Sequence, residues 1–317
     1  MKVAILDDYQ GVATASADWS RVDEDVQVTV FQDHLHDEDA VARRLRDFDI
    51  VCMMRERTPF TRSLIEKLPN LKLLITSGMH NRGLDVNAAA ERGVTVCGTP
   101  SAGAPTAELT WGLIIGMQRR IPQEDHNVCQ GGWQRTVGVG LEGRTLGIAG
   151  LGKLGARVAR VGQAFGMKVI AWSQNLTAER CKEVGAELVS KADLMRRSDV
   201  LTIHLVLSDR SRGLFAAADL ALMKPSAILI NTSRGPIVDE EALADALAHK
   251  TIAGAGLDVF SVEPLPSDHP FRRLENTVIT PHLGYVEEVN YQHYFAGYVD
   301  AIRGFLDGTP VNELKAH

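Results

Sequence analysis

Residues 145–166 read TLGIAGLGKLGARVARVGQAFG, and the reading of this stretch decides the fold. Thr145–Ala149 is short and apolar, as a strand with both faces covered should be. Gly150, Gly152 and Gly155 follow at once, and a helical pattern then runs from Leu154 to Phe165. A second strand, Lys168–Trp172, comes next. Strand, glycine turn, helix and strand in this order give a GxGxxG spacing its meaning. Gly150 permits the sharp turn, Gly152 lets backbone approach phosphate oxygens, and Gly155 lets helix and strand pack closely. The helix start, with Lys153 and Leu154, offers unpaired N–H groups and partial positive charge to a pyrophosphate. The segment reads as a dinucleotide-binding loop.

The same alternation extends on both sides. In the first third, strands are expected at Val3–Leu6, Val26–Phe31, Ile50–Met54, Leu71–Thr76 and Val94–Cys97, with amphipathic segments between them. A Gly/Pro/Ser/Thr stretch, Gly98–Pro105, breaks the pattern before a long helix from Thr106 to Arg120. After a polar loop at Gly131–Gly143, the glycine-loop series continues with strands at Val200–Leu205, Ala227–Asn231, Ala253–Asp258 and Thr277–Ile279. A final helix is expected from Val286 to Leu306. Repeated βα units predict α/β architecture: two doubly wound parallel-sheet (Rossmann-like) domains with a cleft between them. The expected division is residues 1–100 plus 285–317 as a substrate-binding domain, and 101–284 as a dinucleotide-binding domain.

Composition narrows the function classes. The chain has 317 residues, 45% hydrophobic and 23% charged, with a formal net charge of −6. Such a balance provides no clustered basic surface for nucleic acid. No apolar run is long enough to span a bilayer, and no leader pattern opens the chain, so a cytoplasmic protein without membrane partners is expected. Cys52, Cys97, Cys129 and Cys181 lack metal-ligand spacing and read as reduced thiols; no metal site is expected.

The second strand of the glycine-loop unit ends in Ser173, Gln174 and Asn175. A carboxylate there would accept from the adenosine ribose hydroxyls. None is present, and no arginine adjoins the strand end, so NAD and NADP both stay open.

Downstream, LINTSRGPIVDEEAL (229–243), GAGLDVFSVEPLP (254–266) and NTVITPHLGY (276–285) follow GRTLGIAGLGKLG (143–155). In their order and spacing, over nearly the whole chain, these motifs resemble the D-isomer-specific 2-hydroxyacid dehydrogenases. The resemblance implies a catalytic Arg234, Glu263 and His282. Each role makes chemical sense: a guanidinium fork for the carboxylate and carbonyl of a 2-oxo acid, an imidazole to protonate the developing alkoxide, and a carboxylate to orient that imidazole. The resemblance further implies Asp258 as acceptor for the nicotinamide carboxamide. Thr232 and Ser233 would line the same cleft, His204 and Val206 would flank the cofactor, Gly284 would approach the nicotinamide, and Thr110 would be a further contact. A neutral, packed His204 is the competing reading.

For the substrate, the resemblance points to the turn ITSGMHNRGLD (75–85), with backbone N–H groups of Ser77, Gly78 and Met79 for a carboxylate, and to Arg55. Met79 and His80 depart from the small residues usual there, which leaves the substrate open. Arg57 and Arg82 read as surface charges. The expected activity is hydride transfer between NAD(P)H and a small 2-oxo or D-2-hydroxy acid by a homodimer. Its alternatives are a dinucleotide-sensing, corepressor-like binding protein and a formate dehydrogenase.

Overall fold

A computed structural model describes residues 1–101 and 103–316. Ala102, inside the Gly98–Pro105 break, and His317, at the end of the expected C-terminal segment, lie outside the described residues. The chain forms two compact units, Met1–Gly103 with Glu287–His317, and Ala104–Val286. Their limits differ by two or three residues from the expected ones.

The first unit contains β1 (Lys2–Ile5), β2 (Gln27–Val30), α1 (Glu38–Leu45), β3 (Ile50–Met53), α2 (Arg62–Glu66), β4 (Leu73–Thr76), α3 (Val86–Glu91) and β5 (Thr95–Gly98). The sheet order is β2-β1-β3-β4-β5, all parallel. β3 and β4 are buried along their whole length, which explains their unbroken apolar runs.

The second unit opens with α4 (Pro105–Gln118) and α5 (Ile121–Cys129). β6 (Thr145–Ala149), α6 (Lys153–Ala164), β7 (Lys168–Trp172), α7 (Ala178–Val184), β8 (Glu187–Leu188), α8 (Lys191–Arg197) and β9 (Val200–Ile203) follow. Then come α9 (Ala217–Leu220), β10 (Ile228–Asn231), α10 (Glu240–Ala248), β11 (Gly254–Leu257) and β12 (Thr277–Ile279). The order β12-β11-β10-β9-β6-β7-β8 runs outward in both directions from β6. The strand order therefore reverses at β6 and β9, where doubly wound sheets bind ligands outside the carboxyl ends of their strands.

The last helix, α11 (Glu288–Leu306), belongs to the first unit. The Tyr298 hydroxyl on it donates to Met53 O at 2.8 Å. The tail beyond it pairs along β5, with Leu314 N donating to Val96 O at 2.8 Å. Among the described residues, no helix is long and apolar enough to cross a membrane.

α5 and β8 were not visible in the sequence. Arg120 adopts a left-handed conformation and separates α5 from α4. None of the α5 residues is buried, and between Ile121 and Val128 its sequence is PQEDHN, too few apolar positions to show a helical period. β8 is a two-residue edge strand, exposed at both positions.

Leu201, on the central strand β9, is fully buried among Leu194, Leu229 and Leu243. Leu201→Ala should lower unfolding stability by about 2–5 kcal/mol, read from the urea midpoint. A loss under about 1 kcal/mol would contradict the packing described.

Candidate active site

Six parallel strands of the second unit end at the expected site residues. Gly150 follows β6, Ser173 follows β7 and His204 follows β9; Thr232, Ser233 and Arg234 follow β10, Asp258 follows β11, and His282 lies just beyond β12.

The glycine loop has the geometry a pyrophosphate requires. Gly150 has φ +100°, and a Cβ on Gly155 would lie 2.1 Å from Gly150 O, whereas one on Gly152 would meet nothing within 4 Å. Gly152 begins α6 without any side-chain cap. The first-turn N–H groups of Lys153, Leu154 and Gly155 consequently have no intrahelical acceptor, and they face an open cradle. These residues fit a dinucleotide.

β11 and β12 are paired neighbours, and one buried carboxylate fastens the turn beyond β12. Asp258 is fully buried. Its Oδ1 accepts from Thr280 Oγ1 (2.6 Å) and Leu283 N (2.7 Å), and its Oδ2 from Gly284 N (2.8 Å). His282 N donates to Asp258 O at 2.8 Å. Burial raises the Asp258 pKa above the ordinary carboxylate value against the pull of these donors and of His282. Thus clamped, His282 takes a left-handed backbone, φ +55°.

Its Nδ1–H donates to Glu263 Oε2 at 2.5 Å, and Glu263 Oε1 accepts from Phe260 N at 2.8 Å. The carboxylate is therefore anchored before it anchors the imidazole. The Tyr285 ring packs edge-on against His282, centroids 5.4 Å apart. The pair is partly exposed, His282 at 18% and Glu263 at 30% of side-chain surface. An imidazole fixed at Nδ1 in this way presents Nε2 for proton exchange.

Arg234 leaves β10 on a braced loop. Asn231 Nδ2 donates to Arg234 O and Asn231 Oδ1 accepts from Ser233 N, both at 3.0 Å. Arg234 Nη1 donates to Ser233 O at 2.7 Å. Thr280 and Asn231, which hold these loops, had no signal in the sequence, because their partners are distant in the chain or are backbone groups.

Several expected contacts are turned inward. Thr110 is fully buried; its hydroxyl donates to Thr106 O (2.7 Å) and accepts from Thr232 Oγ1 (2.8 Å). It braces α4 against the loop after β10 and has no donor left for a cofactor. Ser233 Oγ donates to Ile203 O at 3.0 Å. The His204 imidazole bonds Thr202 Oγ1 at 3.0 Å through Nε2, and its Nδ1 is buried without a partner. Burial lowers the His204 pKa to about 4, so the packed, neutral reading describes it. Val206, in contrast, is 66% exposed.

In the first unit, Ser77 N donates to Met53 O (3.0 Å) and Gly78 N to Thr99 Oγ1 (2.9 Å). Both amides are consumed in holding the turn, so they are not the open donors the sequence suggested. The Met79 N–H makes no hydrogen bond among the described residues. Arg55 lies over the turn, its Nη1 donating to Ser77 O at 2.9 Å. Arg57 is not a plain surface charge: Nη1 donates to Asp7 O at 2.7 Å and the guanidinium covers the Tyr9 ring at 4.4 Å. Arg82 is exposed.

With this geometry in hand, comparison with known proteins is specific. Residues 111–284 match the family model described as D-isomer specific 2-hydroxyacid dehydrogenase, NAD binding domain. The chain belongs to the D-isomer-specific 2-hydroxyacid dehydrogenase family. It is an NAD(P)-dependent oxidoreductase of that family. A glyoxylate reductase of Aeropyrum pernix is 44% identical over 229 residues, covering 69% of this chain and 68% of that protein. A D-3-phosphoglycerate dehydrogenase of Methanocaldococcus jannaschii is 38% identical over 245 residues, 76% of this chain but 46% of that protein. The crystal structure of a phosphoglycerate oxidoreductase from Vibrio cholerae superimposes with a TM-score of 0.92 at 37% identity, covering 97% of this chain and 99% of that one.

The neutral His204 carries a pH signature. Unfolded, it binds a proton below about pH 6.5; folded, not until about 4. The unfolded state therefore holds the extra proton in this window, and stability falls as pH drops through it. Across the window the unaltered chain should lose about 3 kcal/mol more than His204→Gln, read from urea midpoints. Parallel pH profiles would contradict the buried, neutral imidazole.

Proposed function

We propose that the enzyme interconverts a small 2-oxo acid and its D-2-hydroxy acid, with His282, Glu263 and Arg234 as catalytic residues. The observation that carries this reading is the His282–Glu263 hydrogen bond of 2.5 Å, set on a turn clamped by Asp258.

When bound, the nicotinamide ring supplies the hydride in reduction and takes it up in oxidation. In reduction, the carbonyl π pair moves onto oxygen as the carbon accepts the hydride. His282 Nε2–H then protonates that oxygen; in oxidation the neutral imidazole takes the proton back. Glu263 fixes the ring and stabilises the imidazolium. Arg234 pairs its planar fork with the substrate carboxylate and polarises the carbonyl. Formate oxidation has no ketone oxygen to protonate, so a held acid–base imidazole favours the 2-oxo acid.

We read Ala104–Val286 as the dinucleotide-binding unit and Met1–Gly103 with the C-terminal segment as the substrate-binding unit. The open Met79 N–H is the substrate-side donor. Met79 and His80, beside that donor, are bulkier than glycine and select among acids by the size of their side chains. The working assembly is a homodimer through α4 and residues 121–143. The exposed apolar side chains of Ile121, Val128, Trp133 and Val137 support a covered surface there.

His282→Ala should reduce turnover of a 2-oxo acid by about 10²–10⁴, while dinucleotide binding, read by fluorescence, stays within about twofold. Undiminished turnover would refute the assignment.

A further inference from the structure

We propose that the dinucleotide site is built for a 2′-phosphorylated dinucleotide, with Arg180 binding the 2′-phosphate. The proposal rests on the dinucleotide reading above and decides between NAD and NADP. In a doubly wound sheet, the adenosine ribose lies where the end of the second strand approaches the glycine loop that follows the first. The second strand here is β7.

Two independent features of that place favour a phosphate. The first is the lack of a carboxylate: Ser173, Gln174 and Asn175 follow β7. No anion on these residues accepts from the ribose hydroxyls or repels a phosphate. The second is a cation brought in from α7. Arg180 Nε donates to Leu151 O at 3.2 Å, and Leu151 sits between Gly150 and Gly152 in the glycine loop. The guanidinium is thus tethered to the loop itself, although Arg180 is too far along the chain from β7 to be noticed in the sequence.

α7 holds this arginine in place. Thr177 Oγ1 caps the helix by accepting from Arg180 N at 3.2 Å, and Cys181 and Val184 anchor it in the core. Arg180 Nη1 also pairs with Glu183 at 2.9 Å, with 38% and 63% of the two side chains exposed. Such an exposed pair is weak. A phosphate with close to two negative charges displaces the single carboxylate, which turns into solvent. Nη2 has no partner among the described residues and, with Nη1, completes a bidentate fork for phosphate oxygens. Lys153, exposed at the first position of α6, adds positive charge at the same loop.

The test is equilibrium binding of NADPH and NADH to the full chain, read by fluorescence without any substrate. NADPH should bind about 10–100-fold more tightly. Arg180→Met should weaken NADPH to near the NADH level and leave NADH unchanged, with an unaltered circular dichroism spectrum. Ser173→Asp should reverse the preference through an independent change. NADH binding as tight as NADPH binding in the unaltered chain overturns the proposal, as does an Arg180→Met variant that weakens both alike. Failure of both dinucleotides to bind removes the dinucleotide reading itself, and this proposal with it.

Discussion

The buried carboxylate of Asp258 fastens the end of β11 to the turn after β12. Three donors, from Thr280, Leu283 and Gly284, converge on it. Burying a charge is costly unless it is fully hydrogen-bonded, and here the bonds are drawn from the segment that must be held. The result is a non-glycine residue, His282, kept in a left-handed backbone that ordinarily costs about 1–3 kcal/mol. That conformation sets the direction of the imidazole, and Glu263 completes the constraint at Nδ1. The geometry of the His282–Glu263 pair therefore depends on Asp258, whose own oxygens are spent on Thr280, Leu283 and Gly284.

The parallel sheet explains why so few residues suffice. Every strand of the second unit points the same way, so the loops that follow its strands gather at one edge. β10, β11 and β12 are adjacent, which brings Arg234, Asp258 and His282 to neighbouring strand ends. β6 and β7 are adjacent on the other side of the reversal, which brings Ser173 and the glycine loop together. A strand order starting at β6 thus places the glycine loop and Ser173 on one part of the edge and Arg234, Asp258 and His282 on the other.

Much of this was legible in the sequence. Buried parallel strands declare themselves as short Val/Ile/Leu runs, and the glycine spacing before α6 marks the phosphate loop. Arg234, Glu263 and His282 stand out through motifs in a fixed order. Less legible was anything that depends on where a hydrogen bond is spent. The amides of Ser77 and Gly78 are used to shape their own turn, and the hydroxyl of Thr110 is exhausted by Thr106 and Thr232. The Arg180 contact was invisible for the opposite reason: α7 brings the guanidinium back to Leu151 O. α5 escaped notice because it has too few apolar positions to show a helical period.

The most direct measurement is dinucleotide oxidation by the purified chain with a panel of 2-oxo acids, glyoxylate, hydroxypyruvate, pyruvate and phenylpyruvate among them. Steady consumption of reduced dinucleotide with at least one of them, yielding the D-2-hydroxy acid, is the predicted result. Tight dinucleotide binding without turnover of any member of the panel would contradict it and point to a sensor instead of a dehydrogenase.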